Sequence, residues 1–313
     1  MSATPLFPRD VFIDYLYEQA QKDKDIVIIS ADFGAPALDR YRDNLPEQFV
    51  HSGISEQHMI DMAAGMSLMG KKVYAYAMAP FLSLRCYEQI KAALSLMNQP
   101  VTLLSVGVGV GYADAGPTHY ITEDLACMRV LNGMEVLTTC DPESTVEVAK
   151  LTLAEPALRY VRLDRNAQLP VYDGEFAASQ PKGLHELRAG EDVCIVSCGH
   201  LIGRALAAHE KLLKDGVSAG VIDLFRIKTI DTDALVAVLA RYKNIITLEE
   251  QGLDGGFGSA IIEALNDAGM ARQVKRMGLP ERYFFENGGR DYILDSNGLS
   301  VTDICTTAKG AGA

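Results

Sequence analysis

No two of the six cysteines in this 313-residue chain (positions 86, 127, 140, 194, 198 and 305) are spaced C-x-x-C. That removes the usual cysteine-pair signature of zinc or redox sites, and without a dense framework the thiols are expected to be reduced and mostly buried. Cys194 and Cys198, four apart on an expected strand, read as neighbours on one strand face rather than metal ligands. No apolar run reaches the roughly 18–20 residues that span a bilayer. The first residues, Met-Ser-Ala-Thr-Pro-Leu-Phe-Pro-Arg, lack the charged start and apolar stretch of a secretory signal, so a cytoplasmic protein is expected. Positive charge is also short. Lys and Arg total 29 against 41 Asp and Glu, a formal charge of −12. Such a balance argues against a nucleic-acid or anionic-membrane surface. It leaves room for a local basic pocket. Internal repeats, low-complexity segments, a P-loop and a G-x-S-x-G elbow are absent as well.

What remains is a globular composition, 48% hydrophobic and 22% charged. The chain is long enough for two domains. Helical stripes at 8–23, 56–69, 82–98, 123–132 and 142–153 alternate with short apolar strands at 26–30, 73–77, 101–106, 134–138 and 158–163. Continuous apolar strands between helices predict a mostly parallel sheet covered on both faces. Pro170, Gly174, Pro181 and Gly183 then interrupt the pattern. A second α/β unit follows, with strands at 193–197, 219–223, 245–249 and 274–278 around helix 202–214. The fold class is therefore α/β, two doubly wound domains at 1–170 and 187–313, the second smaller, joined by a connection at 171–186.

Three segments carry chemistry. Glu56 follows the turn Gly53-Ile-Ser and opens an expected helix. Ser55 as cap and an acid in the first turn explain it locally. The helix, however, is apolar almost all round, so it is buried, and a carboxyl at its start needs a partner or a proton. Beyond that helix and the next strand comes the segment Phe81-Leu-Ser-Leu-Arg85-Cys-Tyr87-Glu-Gln. Its aromatics suit stacking on a flat heteroaromatic ring, or simply the core, and Arg85 is equally placed to pair with Glu88. The third is Gly107-Val-Gly-Val-Gly-Tyr-Ala-Asp114-Ala-Gly-Pro-Thr-His119, following a buried strand, where α/β active-site loops sit. Its glycines do not fit the dinucleotide fingerprint. His119 there reads as structural or functional.

Taken together, Ile54-Ser-Glu-Gln, Phe81…Arg85-x-Tyr-Glu-Gln and Gly116-Pro-Thr-His…Glu-Asp-Leu-Ala…Arg129 resemble the C-terminal half of transketolases and are similar to deoxyxylulose-phosphate synthases. The second unit, with Ser197-Cys-Gly, Asp223-Leu-Phe-Arg-Ile-Lys228 and Gly255-Gly-Phe-Gly-Ser259, resembles the transketolase C-terminal domain. The resemblance covers nearly the whole chain and implies thiamine diphosphate as cofactor. Glu56 would activate it through its aminopyrimidine, with Phe81, Arg85 and Tyr87 around the ring. His119 would contact the donor sugar. Arg9, Asp32, Asp114 and Arg162 would complete the substrate site, the arginines as forks for an oxyanion or, alternatively, as members of surface ion pairs.

The chain departs from the family in three places. Ala115 stands where an acidic residue usually precedes Gly-Pro-Thr-His, and a phosphate-binding histidine and serine fall at about Gly107 and Pro36-Ala37. A sulfonated or branched sugar is therefore as reasonable as an ordinary ketose phosphate. Nothing resembles the Gly-Asp-Gly…Asn segment that holds magnesium or calcium and the diphosphate. The resemblance thus implies an N-terminal partner chain carrying metal and diphosphate, in an α₂β₂ assembly, with no metal held by this chain. Competing readings are the β subunit of a 2-oxoacid dehydrogenase, a deoxyketose-phosphate synthase, and a non-catalytic stabilising subunit.

Overall fold

The computed structural model describes residues 5–31 and 34–311. The first unit contributes strands β1 (Ile26–Ala31), β2 (Phe49–Gly53), β3 (Lys72–Met78), β4 (Val101–Val106), β5 (Glu135–Thr138) and β6 (Arg159–Leu163). The second contributes β7 (His185–Arg188), β8 (Val193–Ser197), β9 (Ala219–Asp223), β10 (Arg226–Lys228), β11 (Asn244–Gly252) and β12 (Val274–Leu279). Both units are α/β with mostly parallel sheets, as the alternating pattern predicts. β1, β4, β6, β8 and β9 are buried at every position, because helices cover both faces and leave no residue for solvent.

The helix Pro142–Ala154 shows how local chemistry fixes a boundary. Pro142 occupies the first turn, where its missing N–H costs nothing. Asp141 accepts from Ser144 N at 2.8 Å, and the Ser144 hydroxyl returns to the Asp141 backbone. Each satisfies a backbone donor that the helix start leaves open. The predicted helix 82–98 is broken instead. It begins as Ala79–Leu82, restarts at Tyr87–Gln89 and continues as a π-type turn over Ile90–Ser95. π-type turns often occur at functional sites.

The seven-stranded sheet runs β10-β5-β6-β4-β3-β1-β2 and the five-stranded sheet β12-β11-β8-β9-β7. β10, from the second unit, pairs antiparallel with β5 and so belongs to the first unit's sheet. The connection expected at 171–186 contains a short helix, Phe176–Ser179, and the start of β7. Sheet membership therefore does not follow a single cut in the sequence. All six cysteines are free; Cys194 and Cys198 share one core cluster. Among the described residues no helix is long and apolar enough to cross a membrane. Nor, among them, does any group of three or more His, Cys, Asp or Glu sit so as to hold a metal ion.

Candidate active site

In the first sheet the chain moves from β1 to its neighbour β2, then crosses to β3 on the other side. Such a reversal opens a crevice at the carboxyl ends of the strands. Gly53, with φ of +71°, turns the chain out of β2 toward the helix Glu56–Leu68. The expected serine cap does not form. Ser55 donates its hydroxyl back to the Ser52 carbonyl, and Glu56 occupies the first turn, its charge favoured by the helix dipole. Glu56 is 5% exposed, and its Oε2 accepts from Arg85 Nη1 at 2.5 Å. No other hydrogen bond to this carboxylate occurs among the described residues.

Phe81 and Arg85 follow the end of β3. The Arg85 guanidinium lies 4.1 Å from the Phe81 ring centroid, close enough for a cation–π contact. The Phe81 ring meets His119 edge-on at 5.4 Å. Glu56, Arg85, Phe81 and His119 thus form one continuous chain of contacts from three sequence segments. Arg85 pairs with Glu56, not with Glu88. His119 Nδ1 shares a hydrogen bond of 2.8 Å with the Thr118 hydroxyl. Tyr87 is not drawn into this group. Its hydroxyl donates to the Cys127 carbonyl at 3.1 Å, tying the broken helix to the helix Asp124–Arg129.

The loop carrying His119 needs its glycines. Gly107, Gly109 and Gly116 have φ of +80°, +61° and +82°. That region is costly for other residues. A Cβ on Gly107 would run into the Tyr112 ring, so Tyr112 fills the space beside Gly107. The Arg165 guanidinium lies 4.4 Å from the Tyr112 centroid, pairs with Asp114 and reaches the Gly111 carbonyl at 3.3 Å. The pairing holds the Asp114 carboxyl below its ordinary range. Arg9 pairs with Asp10 at 2.9 Å and lies within electrostatic reach of Tyr112. Of the two arginines, Arg165 is the one that packs on Tyr112.

Arg162, expected as an oxyanion fork, is placed otherwise. It is 2% exposed and donates through Nε to Asp124 Oδ2 at 2.7 Å, with Asp124 fully buried. It lies within β6, which is buried on both faces; Arg165 lies past the strand's end and is only half-buried. The arginine beside the loop is thus Arg165 rather than Arg162. The end of the expected apolar strand at Leu163 was the available signal. Asp32 lies outside the described residues.

Sequence reasoning also missed the second unit's contribution. Glu250, 5% exposed, accepts from Val110 N at 3.0 Å and from Arg290 Nε at 2.6 Å. Arg290 also donates to both Asp164 oxygens, at 2.9 and 2.7 Å. Burial opposes the Asp164 charge, but Arg290 and its other donors hold its pKa below the ordinary range; burial, then Arg290, pushes His200 down toward neutrality. These groups line a cavity of about 10 Å³. That is the scale of one water. Thr139 Oγ1 and Gln251 Oε1 lack hydrogen-bond partners in its wall. Two adjacent acids following the apolar start of a strand, Glu249-Glu250, were the visible hint.

The model of the family described as "Transketolase, pyrimidine binding domain" matches residues 8–168, and that described as "Transketolase, C-terminal domain" matches 183–304. The chain is 34% identical over 304 residues to one subunit of the apulose-4-phosphate transketolase of Phocaeicola vulgatus, covering 96% of each. It is 29% identical to the 6-deoxy-6-sulfo-D-fructose transketolase subunit SqwH of a Clostridium species, covering 96% of this chain and 92% of that one. Among solved structures it resembles a split-gene transketolase described as an inactive beta4 tetramer. There the TM-score is 0.88 and the identity 28%, over 98% of both chains.

Proposed function

The chain belongs to the transketolase family, and from that premise we propose that it is the C-terminal subunit of a two-chain transketolase, moving a two-carbon ketol unit from a ketose to an aldose. The Glu56 carboxylate carries the reading: buried at the start of a helix, held by Arg85, and joined through Phe81 to His119. That donor set fits the aminopyrimidine half of thiamine diphosphate. Glu56 would hold a proton at a ring nitrogen, Phe81 would pack on the ring, and His119 would meet the donor's carbonyl or hydroxyl. The cofactor, when bound, supplies the electron sink for breaking the bond beside the carbonyl. Arg85 keeps Glu56 compensated until the ring arrives.

Arg165, beside Tyr112, and Arg9 would take the anionic end of the sugar. Asp114 and Asp32 remain candidates for its hydroxyls. The names of two relatives, with apulose 4-phosphate and a 6-deoxy-6-sulfo sugar, support a ketose ending in phosphate or sulfonate. The diphosphate and its magnesium or calcium would be held by an N-terminal partner chain in an α₂β₂ assembly, working in the cytoplasm.

Reconstitution tests this. The chain is mixed with a partner carrying Gly-Asp-Gly…Asn, thiamine diphosphate and magnesium, and ketol transfer is followed across ketose phosphates and sulfonates. Transfer only with both chains present supports the reading. Pyruvate-dependent release of carbon dioxide, acylation of a lipoyl domain, or activity of this chain alone would replace it.

A further inference from the structure

The loop Gly107–His119 is a run of turns, with one 3-10 turn at Ala113–Ala115 and a bridge from Gly109 to Ile121, so its place on the sheet also depends on contacts from outside it. Within the first unit, Gly107 N donates to the Leu163 carbonyl at 3.0 Å. Arg165, also of the first unit, holds Asp114 and the Gly111 carbonyl, and Ile121 N donates to the Gly109 carbonyl at 3.0 Å. The second unit adds contacts along the loop and the segment just after it. Val110 N donates to Glu250, Phe284 N to the Tyr120 hydroxyl at 2.6 Å, and Gly252 N to the Thr122 carbonyl at 3.2 Å. His119 lies between these attachment points. We propose that Glu250, fixed by Arg290, is a positioning residue that sets where the loop presents His119, so that the second unit acts on the reaction without reaching the crevice.

The local chemistry is specific. Glu250 Oε1 accepts from both Val110 N and Arg290 Nε, and Oε2 accepts from Arg290 Nη2. Both carboxylate oxygens are thus acceptors for fixed donors. A carboxamide turned either way would set its own NH₂ against one of them. Gly109 completes the fit, since a Cβ there would come within 2.5 Å of the Glu250 carboxyl carbon. Arg290 is itself locked by its two bonds to Asp164, one residue before the Arg165 that stacks on Tyr112. Loop and clamp therefore share one buried network, and a shift at Glu250 reaches Val110 directly. Small displacements of a catalytic group are enough to slow a reaction, since about 1 Å can cost on the order of 100-fold.

The inference rests on the ketol-transfer reading, so the test has an arm that does not. Hydrogen exchange by mass spectrometry on the full chain should show peptides covering 107–121 exchanging about 10-fold faster in Glu250→Gln. Arg129→Met serves as control: it removes another contact between the units, to the Gly255 carbonyl, and should leave this loop unchanged. In the reconstituted complex, kcat should fall about 10-fold or more in Glu250→Gln while the Kd for thiamine diphosphate stays within about twofold. A purely structural role would lower the melting temperature and leave kcat intact. Arg290→Lys, which keeps the charge but not the fork, should lie between wild type and Glu250→Gln in both readouts, and it stands in if Glu250→Gln does not fold. Unchanged loop exchange overturns the clamp, as does a loosened loop with unchanged kcat. A wild-type complex without ketol transfer instead overturns the functional reading, and the exchange arm still decides the clamp.

Discussion

The two units build the same kind of crevice and use it in opposite ways. In the second sheet the strand order reverses between β8 and β11, as it does between β1 and β3 in the first. Each reversal is followed by a glycine-bearing loop at the strands' carboxyl ends. In the first unit the crevice stays open and gathers Glu56, Arg85, Phe81 and His119. In the second, Glu249 fills the place at a helix start where a ligand's anion would sit. Its carboxylate accepts from Phe257 N at 2.7 Å and Gly258 N at 3.0 Å, both in the first turn of the helix Phe257–Asp267. The adjacent Glu250 turns the other way, against the first unit. A Cβ on Gly256 would collide with Glu249 Oε2, so that loop is closed on its own carboxylate. A glutamate stands at a helix start in both units, paired with an arginine side chain in one and with backbone N–H groups in the other; the fold alone does not assign the function.

The sharpest way to break the comparison is at the open crevice. Glu56→Gln removes the buried acid that would share a proton with a ring nitrogen, and should lower ketol transfer of the complex by roughly 10²–10⁴-fold. Assembly with the partner should persist on size-exclusion chromatography. An undiminished rate would shift the complex's chemistry away from this crevice.

At the closed side the expected effect is on stability. Arg290→Met leaves Asp164 and Glu250 buried without their shared cation, which should cost on the order of 3–5 kcal/mol in urea unfolding. A loss under about 1 kcal/mol would mean that water enters the cavity and solvates both acids. Arg165→Met should raise KM for phosphate- or sulfonate-bearing donors about 10-fold, and any accompanying fall in kcat reports its hold on Asp114 and the Gly111 carbonyl. An equal effect on an uncharged donor such as erythrulose would argue against that placement.

The smallest effect concerns pH. Burial raises the Asp223 carboxyl from its ordinary 3.8 to about 7, with Tyr172 and Cys140 as its hydrogen-bond partners. The folded state then binds more protons than the unfolded one between these values. The resulting stability is fully present below pH 3.8 and is lost as pH rises through about 7. Asp223→Asn should flatten that part of the curve measured by denaturant unfolding from about pH 5 to 8. An unaltered slope would locate the titration elsewhere, with Glu249, also raised to about 7 by burial, the next group to replace.

Much of this could be read from the chain before folding. Alternation of apolar strands and amphipathic helices pointed to the two α/β units, because strand and helix periods are local properties. Glu56 stood out because an acid opening an apolar helix conflicts with its surroundings. The motifs around Phe81 and His119 suggested the chemistry, and the missing diphosphate segment suggested the need for a partner.

Other features depend on residues far apart in sequence, which no local window contains. The pairing of β10 with β5 joins remote parts of the chain and moves a strand from one unit to the other's sheet. Arg162, within a strand buried on both faces, meets Asp124, while Arg165, just beyond the strand, reaches Tyr112. Glu250 and Arg290 are ordinary charged residues until folding sets them against Val110 and Asp164. The sequence by itself determined the α/β class, most of the central strands and the family's chemistry. Only the tertiary structure decided which charges meet, because burial makes an unpaired charge costly and the packed partners settle which pairings relieve it.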